Sequence, residues 1–236
     1  WPLDISTTEV VRDIQYGQVR SPTHTNTSWD AARFEICAHK WVDVNEGDFG
    51  FALLNNGRYG HDVARTRTTD GSPSTTLRLT VIKGAQYPDP HADEGLHEFT
   101  YSVMPHSGES ALDVISEGYK LNMPVRAIPS GASPDSPVNH RGATWLVRST
   151  NPSVIIEAVK AAEDGSGDLI IRAWECLGNR TTTDLLLSAP FSRAWLTDAL
   201  EDGTPPMPSP QLEPADDRLL RLGLRPFQIA TIRIPS

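Results

Sequence analysis

Apolar and polar residues alternate with period two in one short run after another, and that alternation points to sheets with one buried and one solvated face. Phe34, Ile36 and Ala38 alternate with Glu35, Cys37 and His39, and Leu77, Leu79 and Val81 with Arg78, Thr80 and Ile82. Phe99, Tyr101 and Val103 alternate with Glu98, Thr100 and Ser102. Later runs lie at residues 154–159, 169–174, 220–224 and 229–234. Each is rich in β-branched or long apolar residues, and turn residues such as Asn55-Asn56-Gly57 and Glu163-Asp164-Gly165 punctuate them. Residues 110–121 have room for one or two helical turns, and no long amphipathic helix stands out. Antiparallel sheets packed face to face are the expected fold, and 236 residues can bury a sizeable core.

The formal charge of −9 comes with scattered Lys and Arg, so no basic stripe exists to hold a phosphate backbone and nucleic acid is not an expected partner. No segment reads as a membrane span or a signal peptide. A start at Trp1-Pro2-Leu3 suggests a fragment of something longer. Cys37 and Cys176 are far apart, which excludes a disulfide framework and any Cys-based zinc motif, and both sit in strand-like runs as expected buried thiols. Prolines mark residues 127–143 and 203–217 as linkers or long surface loops.

Candidate chemistry is sparse. Residues 88–99 gather His91, Asp93, Glu94, His97 and Glu98, but the spacing fits no metal motif. His97 and Glu98 lead toward a strand, where neighbours face opposite ways. Asp62, Asp89, Asp93 and Asp135 are loop acids, and read alone they are solvated turn residues. No Gly-x-Ser-x-Gly occurs, and residues 163–168 lack the closing Glu of a calcium loop. Trp41 and Trp174 read as core, whereas Trp29, among polar residues in THTNTSWD, leaves its exposure open.

Three ordered stretches carry more information: IQYGQVRSPTHTNTSWDAARFEICAHKWVDV (14–44), FALLNNGRYGHDV (51–63) and LRLTVIKGAQYPDPHADEGLHEFTYSVMPH (77–106). Together with residues 154–175 and 224–234 they resemble the C-terminal β region of glycoside hydrolase family 38 α-mannosidases of the bacterial and cytosolic type. The resemblance implies an all-β antiparallel sandwich, part of a galactose-mutarotase-like supersandwich, with a smaller C-terminal β subdomain. It divides the chain into part of the large sandwich (1–126), a Pro/Gly-rich connection (127–150) and closing strands (151–236) that complete the sandwich or form the small subdomain. It implies a cytoplasmic, retaining, zinc-dependent α-mannosidase whose nucleophile and zinc ligands lie in an N-terminal catalytic domain. Its one His-x-Asp, His91-Ala92-Asp93, lies in the stretch already read as fitting no metal motif, so the chain is expected to hold neither nucleophile nor zinc and to be inactive alone. Its implied partners are that catalytic domain, α-mannosides and, if sheet edges are left open, further copies of itself.

Departures from the family pattern are local. Asn55-Asn56-Gly57-Arg58-Tyr59-Gly60 stands where Asn-Asp usually precedes Lys-Tyr-Gly, and His61 stands where Tyr is common. Lys83-Gly84 replaces an Arg-Ser. By the resemblance, Arg58, Tyr59 and Lys83, with Asn55, Asp62 and Asp89 nearby, are expected either at the rim of the sugar cleft or in contact with the catalytic domain. A competing expectation is a self-standing mannose-binding sandwich.

Overall fold

The computed structural model describes residues 1–108, 111–126, 145–203, 205 and 207–236, which divide into two compact units, Trp1–Val125 and Arg126–Ser236. Strands dominate both, and all their pairings are antiparallel.

The first unit contains β1 (Pro2–Leu3), β2 (Glu9–Ile14), β3 (Gly17–Pro22), β4 (Ile36–Cys37), β5 (Trp41–Glu46), β6 (Phe49–Asn55), β7 (Gly60–Arg67), β8 (Pro73–Leu79) and β9 (Tyr101–Ser107). They form sheets ordered β1-β8-β7-β4 and β3-β2-β5-β6-β9. Inward residues of both sheets meet in one core of Ile5, Val10, Ala38, Val42, Val44, Phe51, Leu53 and Leu77, so period-two alternation becomes a sandwich. A one-turn helix, α1 (Ser28–Ala31), starts at Thr27 through a reciprocal cap with Asp30.

The segment after β9 differs from the sequence reading. It forms α2 (Ala111–Asn122), a 12-residue helix of three turns rather than one or two. Val114, Ile115 and Gly118 are its buried face, a stripe too short to stand out among the surrounding polar residues. The helix contacts β5 and β6 on the face opposite the sandwich core. Gly118 is required there, because a Cβ would come within 2.9 Å of the Trp41 ring.

The second unit contains β10 (Val147–Ser149), β11 (Val154–Ala161), β12 (Leu169–Glu175), β13 (Thr181–Leu187), β14 (Trp195–Thr197), β15 (Gln211–Asp216), β16 (Leu219–Leu224) and β17 (Ile229–Ile234). Sheets ordered β10-β13-β16-β15 and β11-β12-β17-β14 enclose Val154, Ile171, Ala173, Leu185, Leu220, Leu222 and Ile232. The fully buried Glu175 ties two turns together. Its carboxylate accepts the backbone N–H groups of Leu177 (2.9 Å), Gly178 (2.8 Å), Asn179 (3.0 Å) and Phe227 (3.1 Å). Burial beside that carboxylate pushes the Cys176 thiol up to about 12, desolvation being the larger cause.

Three further expectations need correction. Cys37 is exposed, because β4 is a two-residue edge strand. Residues 203–217 are not wholly loop: Pro214 sits in β15, an edge strand where its missing N–H costs no ladder bond, and a register shift follows it. Val81 and Ile82 are exposed beyond the end of β8, and β9 begins at Tyr101 rather than at Phe99. In the β6–β7 loop Gly57, at φ +146°, makes the turn, and Gly60 opens β7 and leaves room for Thr80. Trp41 and Trp174 are core, as expected, and Trp29 is 84% exposed. Most of the expected 127–150 connection, and Asp135 within it, lie outside the described residues.

Candidate functional site

The polar loop between β6 and β7 is built on Asn55. Its side chain is fully buried and makes three hydrogen bonds: Oδ1 accepts the N–H of Gly57 (3.0 Å) and of Arg58 (2.7 Å), and Nδ2 donates to the His39 carbonyl (2.9 Å). This Asx turn fixes where Arg58 and Tyr59 leave the sheet. A neighbouring contact extends the support, as Asn122 of α2 donates to the Asn55 carbonyl (2.9 Å).

The long segment between β8 and β9 closes over the same loop. Its fold hinges on Asp93, held at φ +64°, whose carboxylate accepts the N–H groups of Gly84 (2.9 Å) and Lys83 (3.3 Å). Those bonds, with the nearby cations, hold the Asp93 carboxyl below its usual range, the Gly84 N–H being the largest cause. His97 Nε2–H donates to the Asp93 carbonyl at 2.7 Å, which leaves Nδ1 as an acceptor facing Arg58 Nη2 at 3.3 Å. The Arg58 guanidinium also stacks over Phe99, 5.0 Å from the ring centre. Tyr59, 55% exposed, lies against His39 with ring centres 5.2 Å apart.

The structure therefore brings Arg58, Tyr59 and the Lys83 backbone into one loop cluster. Asn55 supports it from beneath and is not available to a ligand. Asp62 stands apart on β7, paired with Arg78. Asp89 is exposed and caps its own turn by accepting the His91 N–H at 2.9 Å. His97 and Phe99 escaped sequence reasoning as Arg58 partners. Their i, i+2 spacing in an extended segment, which puts both on one side, was the available signal. His61 is fully buried, its Nδ1 bonded to the Tyr59 carbonyl (3.2 Å) and its Nε2 without a partner. Lost hydration holds its pKa below the usual imidazole value.

Chemically, the cluster offers a planar donor fork, a phenol and imidazole nitrogens, a set suited to hydroxyl pairs or a carboxylate. Among the described residues no group of three or more His, Cys, Asp or Glu could hold a metal ion, so these residues do not fit zinc.

Residues 1–91 match the glycosyl hydrolases family 38 C-terminal domain, and residues 153–232 match the family's C-terminal beta sandwich domain. The chain belongs to glycosyl hydrolase family 38. This family 38 chain is 38% identical over 237 residues to Alpha-mannosidase 2C1 of Mus musculus, covering 98% of the chain and 21% of that protein. It is 35% identical over 229 residues to Alpha-mannosidase G of Dictyostelium discoideum, covering 95% of the chain and 19% of that protein. It thus spans about a fifth of the length of these curated relatives. A crystal structure of an alpha-mannosidase from Enterococcus faecalis V583 shares the fold with a TM-score of 0.65 at 21% identity, over 97% of this chain and 24% of that one. Among the described residues no helix is long and apolar enough to cross a membrane.

Proposed function

We propose that this chain is the non-catalytic β-sandwich segment of a cytoplasmic, retaining α-mannosidase. It braces an N-terminal catalytic domain and contributes to the rim of the substrate cleft. The observation that carries the reading is the Arg58 cluster: a polar, structurally supported donor set on a chain whose described residues assemble no metal site. Family membership supports α-mannosides as the substrate class, and curated relatives about five times longer leave room for the catalytic domain elsewhere. Zinc belongs with that domain. Neither Cys37 nor Cys176 forms a disulfide among the described residues, which suits a reducing compartment. Arg58 and Tyr59 serve the rim, Lys83 supports the same edge, and Asp62 and Asp89 lie on its outskirts.

Two assays on the 236-residue chain test this reading. Turnover of a nitrophenyl α-mannoside is expected to be nil with or without zinc, and zinc-dependent or zinc-independent hydrolysis overturns it. Titration with mannose and mannobiose by calorimetry is expected to show no binding. Saturable binding would instead make the chain a self-standing mannose module.

A further inference from the structure

The outer face of the β10-β13-β16-β15 sheet carries a trough of about 290 Å³ whose walls are unusual for this acidic chain. Gly223 forms its floor, with Thr182 opposite on one neighbouring strand and Gln211 on the other. Arg180, Arg225 and Ser209 complete the rim, and among the described residues no carboxylate lines it, although the chain has 30 Asp and Glu against 21 Lys and Arg.

The register explains why this spot is electrostatically unbalanced. Along β13 and β16, Asp184 lies opposite Arg221, and their side chains pair at 3.0 Å. One outward rung further on, Thr182 faces Gly223. Arg180 immediately precedes β13 and Arg225 immediately follows β16, just beyond the Thr181↔Leu224 pair, so both stand at this end of the trough. Neither guanidinium forms an ion pair among the described residues, in contrast to Arg221 beside them. The backbone beneath Arg225 is fixed, because its N–H donates to Gln228 Oε1 (2.9 Å) and Gln228 Nε2 donates to the Pro208 carbonyl (2.6 Å).

We propose that this trough binds a small phosphate-bearing molecule. Two guanidinium forks provide more donors and charge than one carboxylate can satisfy, whereas a phosphate monoester carries about −1.5 to −2 at neutral pH and three acceptor oxygens. Thr182, Ser209 and Gln211 add hydroxyl and amide groups for the rest of the ligand. The bare Gly223 floor keeps the space open, since a Cβ there would lie 3.1 Å from Gln211 Oε1.

The test is a two-dimensional NMR titration of the 236-residue chain, observing backbone amides and arginine Nε–H groups. The probes are inorganic phosphate, a hexose 6-phosphate and the free hexose. Saturable shifts centred on Arg180, Arg225 and Gly223 are expected with both phosphates and not with the hexose. Arg180→Ala and Arg225→Ala should each weaken binding at least about tenfold. Gly223→Val, which keeps both charges and fills the floor, should do the same with the rest of the spectrum unchanged. The proposal fails if no saturable shift appears by about 10 mM phosphate, roughly tenfold above a millimolar Kd. It also fails if shifts spread over all arginines alike, or if the variants bind undiminished.

Discussion

Replacing Asn55 with Ala tests whether the Arg58 loop is held from beneath as described. The side chain is fully buried and makes three hydrogen bonds, two to the loop's own N–H groups and one to the His39 carbonyl. A net contribution of about 0.5–1.5 kcal/mol for each gives a loss of about 3 kcal/mol. For a unit of this size that corresponds to roughly 10 °C in Tm. Asn55→Asp separates the two halves of the interaction. It keeps the oxygen that accepts from Gly57 and Arg58 but sets a second oxygen against the His39 carbonyl, so about 2 kcal/mol should be lost. Urea unfolding gives the magnitude. Hydrogen exchange over residues 53–60 gives the location, with earlier exchange expected at Gly57 and Arg58. A loss below about 1 kcal/mol in both variants, with protection unchanged, would refute the Asx turn as the loop's support.

Three further outcomes follow from the same structure. Glu175→Gln should destabilise the second unit by at least about 3 kcal/mol in urea, because three N–H groups converge on one carboxylate oxygen, Oε2, and an amide cannot serve all four donors. His61 makes stability depend on pH: its folded pKa lies below the ordinary 6.5, so the unfolded chain takes up the proton first. The stabilisation is therefore complete above about pH 6.5 and declines as pH falls through and below that value. Urea midpoints of the wild type and His61→Phe should diverge between about pH 7.5 and 5.5, and parallel curves would exclude the effect. Edge strand β9 leaves Tyr101 50% and Val103 43% exposed, so light scattering should find self-association that Val103→Lys removes, and a clean monomer at high concentration would contradict it.

Period-two alternation was enough to read antiparallel sheets packed face to face, because inward residues such as Val42, Val44 and Leu53, or Ile171, Leu222 and Ile232, dictate that packing, but it did not say that the closing strands enclose a core of their own. Helix α2 was harder to read, since its docking depends on Gly118 fitting against Trp41, a contact absent from any local pattern. β15 was obscured by its prolines, which only an edge position tolerates. The candidate site was half legible. Arg58 and Tyr59 stood out by chain position, but their setting depends on residues about 40 positions away, His97 and Phe99, brought back by the Asp93 turn. Asn55 looked like a ligand-facing amide in sequence and is a buried support in space.

The proposed role of this chain in the substrate cleft rests most directly on Arg58. In the proposed longer α-mannosidase polypeptide, Arg58→Ala and Arg58→Lys should be compared with wild type for kcat/KM on an α-mannoside, with Tm measured alongside. A fall of at least about tenfold, or ~1.4 kcal/mol of transition-state stabilisation, is predicted for Arg58→Ala, with partial recovery in Arg58→Lys and little change in Tm. Unchanged kcat/KM in a folded Arg58→Ala enzyme would contradict the account.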